Sequence, residues 1–303
     1  MTEPAPFPRL AVFGEALTDL VRTGPDSWRS IAGGACWNVA RVAARLGVAT
    51  AWGGAVGDDL FGRQIMDASR EAGLDARFIQ VVTQPPLLAV VHQLDPPRYF
   101  FLGSADLGFD PAALPAGWEQ ACAVAHFGGI SLVREPLATR LLALARRLHQ
   151  AGVAISFDPN HRDLMGPDYP ARFERLAALA AVLKLSDEDL ARIYPGQDEA
   201  AALARVRALA PAAVLLYTRG SAGMRVFADG ETIEQAAFPV PAVDSVGAGD
   251  ACIGGFLASR LLRPDAGLRE HVRFAAATAA AACTRAGAHA PEPAEVQALL
   301  ADT

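Results

Sequence analysis

Short apolar runs alternate with longer amphipathic segments along most of the chain. The run LAVF at residues 10–13 predicts a buried strand, and residues 38–46 show a helical period that stops at Gly47. The same alternation continues to the runs AAVLKLS at 180–186 and AVLLYTRG at 213–220. Strands that are each followed by a helix at this spacing predict a three-layer α/β fold, in which helices cover both faces of a mostly parallel sheet.

Two segments interrupt this rhythm. Residues 15–32 and 87–102 alternate polar and apolar positions and contain turn residues, without a helical period. Such strands are expected to pair as a small sheet, and small sheets often close over active sites as lids. Because no repeat or low-complexity linker divides the chain, we expect one domain over residues 1–303 with lid strands in these two segments.

The composition narrows the class of protein. The 303 residues are 52% hydrophobic with a formal net charge of -6, so a basic surface for nucleic acid or anionic lipid is not expected. The longest apolar run, at 274–283, is mostly alanine and too short to span a bilayer. The four cysteines lack CxxC spacing, and the start MTEPAPFPRL lacks the regions of a signal peptide. These features predict a soluble cytoplasmic protein.

Two common nucleotide sites are excluded by the sequence. Lys184 is the only lysine, and it is followed by leucine without upstream glycines, so the P-loop pattern GxxxxGK[ST] is missing. No GxGxxG follows the first strand, which argues against a Rossmann dinucleotide site. Lys184 itself has two open interpretations: a site that needs a compact ammonium, or chance retention.

The segment DSVGAGD at residues 244–250 carries the most chemistry. A Gly-x-Gly turn that opens a helix leaves backbone N–H groups unpaired at the positive end of the helix dipole, which attracts anions. Asp250 is then either a helix-start acid or a group that acts beside a bound anion. Polar residues also follow several other predicted strands, where ligands of open α/β sheets bind. Together they suggest a phosphoryl-transfer site.

The segments GGACWNVARVAARLG at 33–47 and DSVGAGDACIGGF at 244–256 resemble the two signatures of the ribokinase-like (PfkB) carbohydrate kinase family. Four further segments, GGAVGDDLFG, SFDPNHR, KLSDED and TRGSAG, occur in that family's order, and the resemblance runs from about residue 10 to residue 290. Within the family the chain looks most like the bacterial fructokinases.

The resemblance implies roles for particular residues. Asp250 matches the base that takes a proton from the sugar hydroxyl, and the anion-hole amides match Gly247, Ala248 and Gly249. The family's sugar-binding positions match Asp19, Gly33, Gly34 and Asn38, and its nucleotide-binding segment matches Thr218, Gly220 and Gly223. Residues after predicted strands add further candidates: Asn160 and Arg162 for the substrate, and Lys184 and Ser186 for the nucleotide.

Metal binding departs from the family pattern. The usual motif is Asn-x-x-Glu, whereas Ser186 and Asp189 stand at those positions, so the resemblance implies Mg²⁺ near Asp189 or Glu188. A monovalent cation, usually K⁺, is implied beside Asp244 and Ser245, with backbone near residues 286–288.

Structural alternatives accompany these roles. The glycines at 33 and 34 are also suited to a turn, and Asn38 is a good helix cap. Asp58 and Asp59 are more typical of a helix cap than of a metal site. Arg162 either approaches the phosphates and sugar or pairs on the surface with Asp163 or Glu188.

The function implied by the resemblance is ATP-dependent phosphorylation of a sugar primary hydroxyl, with fructose as the expected sugar and fructose 6-phosphate as the product. A 2-keto-3-deoxygluconate kinase and a nucleoside or riboside kinase are the alternatives on the same fold, and a non-catalytic sugar- and nucleotide-binding regulator is the alternative of another class. Leu102 stands where relatives acting on sugar acids carry an arginine, which favours a neutral sugar. The apolar lid strands suggest a homodimer.

Overall fold

The computed structural model describes residues 6–94 and 97–301. The two lid-segment residues 95 and 96, and both ends of the predicted domain, lie outside the described residues. Among the described helices, none combines the length and apolar character needed to cross a membrane.

The strands and helices are as follows. The strands are β1 (Leu10–Phe13), β2 (Leu17–Arg22), β3 (Trp28–Gly33), β4 (Thr50–Gly57), β5 (Ile79–Val82), β6 (Leu88–Leu94), β7 (Pro97–Leu102), β8 (Val124–Gly128), β9 (Ala154–Asp158), β10 (Ala180–Ser186), β11 (Val214–Thr218), β12 (Met224–Ala228) and β13 (Glu231–Gln235). The helices are α1 (Ala35–Arg45), α2 (Leu60–Glu71), α3 (Trp118–Ala121), α4 (Leu137–Gln150), α5 (Tyr169–Ala177), α6 (Asp187–Ile193), α7 (Glu199–Leu209), α8 (Ala248–Leu262), α9 (Leu268–Ala282) and α10 (Pro293–Ala301).

Nine of the described strands form the central sheet, in the order β13-β12-β11-β10-β9-β8-β1-β4-β5. Its strands pair in parallel from β5 to β11, and β12 and β13 add antiparallel at one edge. The carboxyl ends of the parallel strands therefore meet at one edge of the sheet. The predicted α/β class with a mostly parallel sheet is confirmed.

The core lies on both faces of the central sheet. In β1, Ala11 and Phe13 belong to one apolar cluster, which includes Leu141 of α4. Leu10 and Val12 belong to the other cluster, on the face packed by α1, α8 and α9. Since alternate residues of a strand point to opposite faces, a strand buried on both faces needs a continuous apolar run. The LAVF run meets that requirement.

Helix α1 begins earlier than its sequence period indicates. It starts at Ala35, after Gly34, whose backbone has a φ of 118°. A Cβ at this glycine would lie 2.6 Å from the carbonyl oxygen of Glu15, so the close approach of two backbones requires glycine here. At α2, Asp59 accepts hydrogen bonds from the amides of Phe61 and Gly62 at 2.8 and 3.0 Å, which is the capping role expected from the sequence.

A second, four-stranded sheet has the order β3-β2-β6-β7 and is separate from the central sheet. Its strands come from the two segments whose polar and apolar positions alternate. β2 pairs antiparallel with β3 and parallel with β6, while β6 and β7 form an antiparallel pair.

Candidate functional site

A cavity of about 450 Å³ lies between the small sheet and the carboxyl edge of the central sheet. From the central sheet it is lined by residues that follow β1 and β9 and by the first turn of α8. From the small sheet it is lined by alternate residues of β2, β3, β6 and β7. The polar side chains that line it are Glu15, Asp19, Arg29, Asn38, Tyr99, Asn160, Arg162, Asp244 and Asp250.

The first turn of α8 presents unpaired backbone amides. Gly247 is the N-cap, with a φ of 79°, and the helix starts with a bond from Ala251 N to its carbonyl at 2.8 Å. The amides of Gly247, Gly249 and Asp250 donate to no other described residue. The Ala248 amide differs from the expected pattern, because it donates to the carbonyl of Ser245 at 3.2 Å. Three amides thus remain for a bound anion.

Asp250 is buried yet lines the cavity. Its side chain is held by Asn38, whose Nδ2 donates to Asp250 Oδ2 at 2.9 Å. Burial raises the pKa of Asp250, while the bond from Asn38 and the charges of Lys184 and Arg162 counteract the increase. A carboxylate with a raised pKa accepts a proton more readily, which suits a general base.

The side chain of Asn38 does not cap α1, so that structural alternative is wrong; the N-cap is Gly34. The Oδ1 atom of Asn38 is buried and accepts no hydrogen bond from the described residues. Since buried polar atoms are nearly always hydrogen-bonded, this atom is suited to a ligand hydroxyl.

A buried ion cluster lies under the first turn of α8. Lys184, which is 4% exposed, places its Nζ 3.0 Å from Asp158 Oδ2 and 3.9 Å from Asp189 Oδ2. A Cβ at Gly249 would lie 3.1 Å from the same Nζ. Burial disfavours the charged form of Lys184, but the attraction of the two carboxylates outweighs this effect and raises the pKa of Lys184. The single lysine thus places a fixed positive charge beside the unpaired amides.

Arg162 and Asp19 face the cavity from opposite sides. Arg162 donates to the carbonyl of His161 at 2.8 Å, whereas Asp163 pairs with Arg192, so the predicted surface pair of Arg162 with Asp163 is not formed. Asp19 lies on β2 against Gly33, where a Cβ would be 2.9 Å from its Oδ2. Burial raises the pKa of Asp19 to about 6, and the charge of Arg162 limits the increase.

Comparison with known proteins decides the family. The model of the pfkB family carbohydrate kinases matches residues 8–295. The chain belongs to the pfkB carbohydrate kinase family. A fructokinase from Klebsiella pneumoniae is 34% identical over 298 residues, which cover 91% of this chain and 95% of that relative. The family resemblance of the sequence is confirmed.

Solved structures agree with the PfkB assignment. The structure of a fructokinase with bound ATP from Xylella fastidiosa has a TM-score of 0.87 at 30% identity, covering 97% of this chain and 98% of that chain. A fructokinase from Vibrio cholerae in fructose-, ADP- and calcium-bound form has a TM-score of 0.86 at 26% identity, covering 97% and 99%. The ribokinase-like fold is confirmed, and this PfkB protein is a carbohydrate kinase.

In this PfkB kinase the positions of the family's metal motif are used to cap α6. Asp189 accepts from the amides of His161 at 2.7 Å and Ser186 at 3.0 Å, and Ser186 Oγ accepts from Asp189 N at 3.0 Å. Both oxygens of Asp189 are therefore engaged by protein donors, in addition to the nearby Lys184. Glu188, one residue earlier, is exposed. This carboxylate fits Mg²⁺ better, since Mg²⁺ usually keeps waters and binds through few carboxylates and substrate phosphates.

The loops assigned to a monovalent cation are joined by Asp244. Its Oδ1 accepts from Val246 N at 3.0 Å and its Oδ2 from Gly287 N at 2.8 Å, and these bonds lower its pKa. A Cβ at Gly247 would lie 2.7 Å from the Cβ of Ala288, so the second loop packs directly against the first turn of α8. Ser245 is exposed beside them. Both oxygens of Asp244 are engaged by these amides, so a cation between the loops would bind mainly through their backbone carbonyl oxygens.

The predicted nucleotide residues lie outside the cavity. Thr218 ends β11 and pairs in register with Ser186, the end of β10. Gly220 and Gly223 shape the turn that follows, with φ values of 53° and 81°. These residues share the carboxyl edge of the sheet with Lys184 but do not line the sugar-sized cavity.

Leu102 does not line the cavity, so its identity does not bear on the choice between a neutral sugar and a sugar acid. On β7, Tyr99 and Phe101 line the cavity, and Leu102 is 51% exposed on the opposite face. The alternation of side chains along a strand separates them. Arg29 of β3 does line the cavity together with Arg162, so cationic side chains are present on both sides.

Glu15 is a lining residue that the sequence analysis did not identify. It follows β1 directly, and the rule that ligands bind after the strands of an open sheet applies to it as well as to Asp158 or Thr218.

Proposed function

We propose that this PfkB kinase transfers the γ-phosphoryl group of ATP to the 6-hydroxyl of fructose. The observation that carries the proposal is the position of Asp250: a buried carboxylate, oriented by Asn38, at the end of a sugar-sized cavity and beside three unpaired amides. The fructokinase relatives support fructose as the sugar and ATP as the donor.

In the proposed mechanism the hydroxyl oxygen forms the new bond to the γ-phosphorus as the bond to the β-phosphate oxygen breaks. Asp250 accepts the hydroxyl proton. The amides of Gly247, Gly249 and Asp250, with Lys184 beneath them, stabilise the charge on the transferred oxygens. Asn38 keeps the carboxylate oriented toward the sugar.

The nucleotide and the metal ions are proposed to bind at the same carboxyl edge of the central sheet. Lys184, Ser186, Thr218, Gly220 and Gly223 are proposed to hold the nucleotide side of the site. A divalent ion, for which Glu188 is the best-placed carboxylate, would neutralise phosphate charge when bound. The loops of Asp244, Ser245 and residues 286–288 are proposed to hold K⁺. Relatives with nucleotide and a metal ion bound support both groups.

The small sheet is proposed to be the lid of a single domain. Tyr99 and Phe101 lie on its face toward the cavity, whereas Phe100 and Leu102 on its opposite face are 46% and 51% exposed. An exposed apolar sheet face of this kind is suited to a second copy of the chain, so we propose a homodimer. The need for ATP and the four free thiols support a cytoplasmic location.

A sugar acid is the second candidate substrate. Arg29 and Arg162 both line the cavity, and either guanidinium can pair with a carboxylate. We therefore propose 2-keto-3-deoxygluconate as the alternative to fructose. Glu15 and Asp19 oppose this choice, because they add negative charge to the same cavity.

Turnover across a substrate panel tests the proposal. ADP release is measured with MgATP and K⁺ for fructose, 2-keto-3-deoxygluconate and several ribosides, and the phosphorylated position is assigned by NMR. We expect the highest kcat/KM for fructose with phosphate at the 6-hydroxyl. A higher kcat/KM for another compound would replace fructose as substrate, and sugar binding without ADP release would favour the non-catalytic regulator.

A further inference from the structure

Glu15 places a buried carboxyl group at the floor of the cavity. It directly follows β1, in the middle of the central sheet, and it is 4% exposed. Among the described residues it has no ion-pair partner. Burying a carboxylate without a cation is costly unless donors satisfy its oxygens, so the donors around it indicate its role.

Ser131 holds one of its two oxygens. The amide and the hydroxyl of Ser131 both donate to Glu15 Oε2, each at 3.2 Å. Gly129 lies against the carboxylate: a Cβ there would be 2.1 Å from Oε1, and the φ of this glycine is 66°. The chain after β8 is therefore shaped around this carboxylate, and because Glu15 lines the cavity, a bound ligand can reach the carboxylate.

The charges near Glu15 do not neutralise it. Burial raises the pKa of Glu15 to about 7, the Ser131 bonds reduce the increase, and Arg162 is the cation that contributes. Asp250 and Asp158 are close enough that both, with Glu15, act on the buried Cys36 thiol and raise its pKa. Since Arg162 already supplies a cation, a hydroxyl is a donor that can satisfy this carboxyl group without burying a further charge.

We propose that the carboxylate of Glu15 binds the 1-, 3- or 4-hydroxyl of the sugar, and so selects substrates that carry that hydroxyl. The inference rests on the proposed sugar kinase function. Glu15 and Asp250 approach the cavity from different elements, the end of β1 and the start of α8, so one sugar can contact both. Glu15 is thus a binding residue and not a second base.

A purely structural role predicts something different. If Glu15 only stabilised the loop after β1 through Ser131, its substitution would lower kcat/KM by the same factor for every substrate. If Glu15 binds one hydroxyl, the loss in kcat/KM depends on whether the substrate has that hydroxyl. Measuring kcat/KM for each enzyme variant with each substrate analogue, as in a double-mutant cycle, separates the two roles.

The experiment compares wild type, Glu15→Gln and Ser131→Ala on fructose and on its 1-deoxy, 3-deoxy and 4-deoxy analogues, which keep the 6-hydroxyl. We expect Glu15→Gln to lower kcat/KM for fructose by about 10- to 100-fold, mainly through KM. For one analogue, Glu15→Gln and wild type should have equal kcat/KM. Ser131→Ala, the matched control, keeps the carboxylate and should lose less than about 10-fold on every substrate.

Equal losses on all four substrates, or no loss, would overturn the inference while the proposed function stands. Absence of wild-type turnover on fructose would overturn both. If Glu15→Gln does not fold, a structure of the wild-type protein with fructose decides: a sugar hydroxyl within about 3.2 Å of Glu15 supports the inference, and none within that distance overturns it.

Discussion

The two walls of the cavity are built in opposite ways. Behind the central-sheet wall lies a buried network of charges, in which Lys184 and Asp158 are only 4% and 3% exposed. The small-sheet wall presents mostly apolar side chains such as Phe101, beside Asp19 and Arg29, and has a half-exposed opposite face at Phe100. Rigid charges suit the chemical step, since they need no reorganisation during reaction. A thin apolar sheet suits closure over the substrate and exclusion of water.

The largest effect is expected from removing the cation of the charged wall. Lys184→Met leaves Asp158 and Asp189 buried without their counter-ion, so we expect a loss of about 3–5 kcal/mol in the free energy of unfolding. Activity should fall at least about 100-fold. Chemical denaturation and steady-state kinetics measure both. In the control Lys184→Met/Asp158→Asn, stability should largely recover and activity should not; recovery of both would reduce Lys184 to a structural role.

The first turn of α8 should be nearly as sensitive. Gly247→Ala puts a Cβ 2.7 Å from that of Ala288 at a φ of 79°, which displaces the unpaired amides. We expect kcat to fall about 10- to 100-fold. Gly73→Ala is the matched control, with the same φ of 79° but nothing within 4 Å of the added Cβ. Equal effects of the two substitutions would show that backbone strain, and not the amides, is responsible.

A change in the apolar wall should alter binding more than chemistry. Phe101→Leu reduces the apolar surface against the sugar but touches none of the charged groups. We expect KM for fructose to rise about 10-fold with kcat changed less than about 2-fold. A loss confined to kcat would contradict the division of roles between the two walls.

The smallest effect concerns stability and pH. Burial raises the pKa of Glu15 to about 7 and those of Asp19 and Asp158 to about 6. A carboxyl group whose pKa is raised in the folded protein stabilises the folded state while it is protonated. This stabilisation is lost as the pH rises through the raised pKa. The contribution of Glu15 is lost between its ordinary pKa of 4.5 and the raised value, so it should lower Tm by a few degrees between about pH 4.5 and pH 7. Glu15→Gln should remove this part of the slope, and parallel curves of Tm against pH for the variant and the wild type would contradict the pKa shift of Glu15.

The charged wall also shows what the sequence reveals and what it hides. The strands at 10–13 and 180–186 have the predicted bounds, because strands buried on both faces are continuous apolar runs. The roles of Asp189 and Leu102 could not be deduced in the same way. The second oxygen of Asp189 is engaged by the amide of His161, in the loop after β9, and the face taken by Leu102 depends on the pairing of β6 with β7. Both are consequences of tertiary contacts.

The base role of Asp250 is the central claim, and Asp250→Asn tests it most directly. The substitution keeps size and shape, so fructose binding measured by calorimetry should be nearly unchanged. ADP release with MgATP and fructose should fall by at least about 100-fold, since a positioned base contributes about 10²–10⁴ in rate. Turnover close to wild type with unchanged fructose affinity would contradict the account.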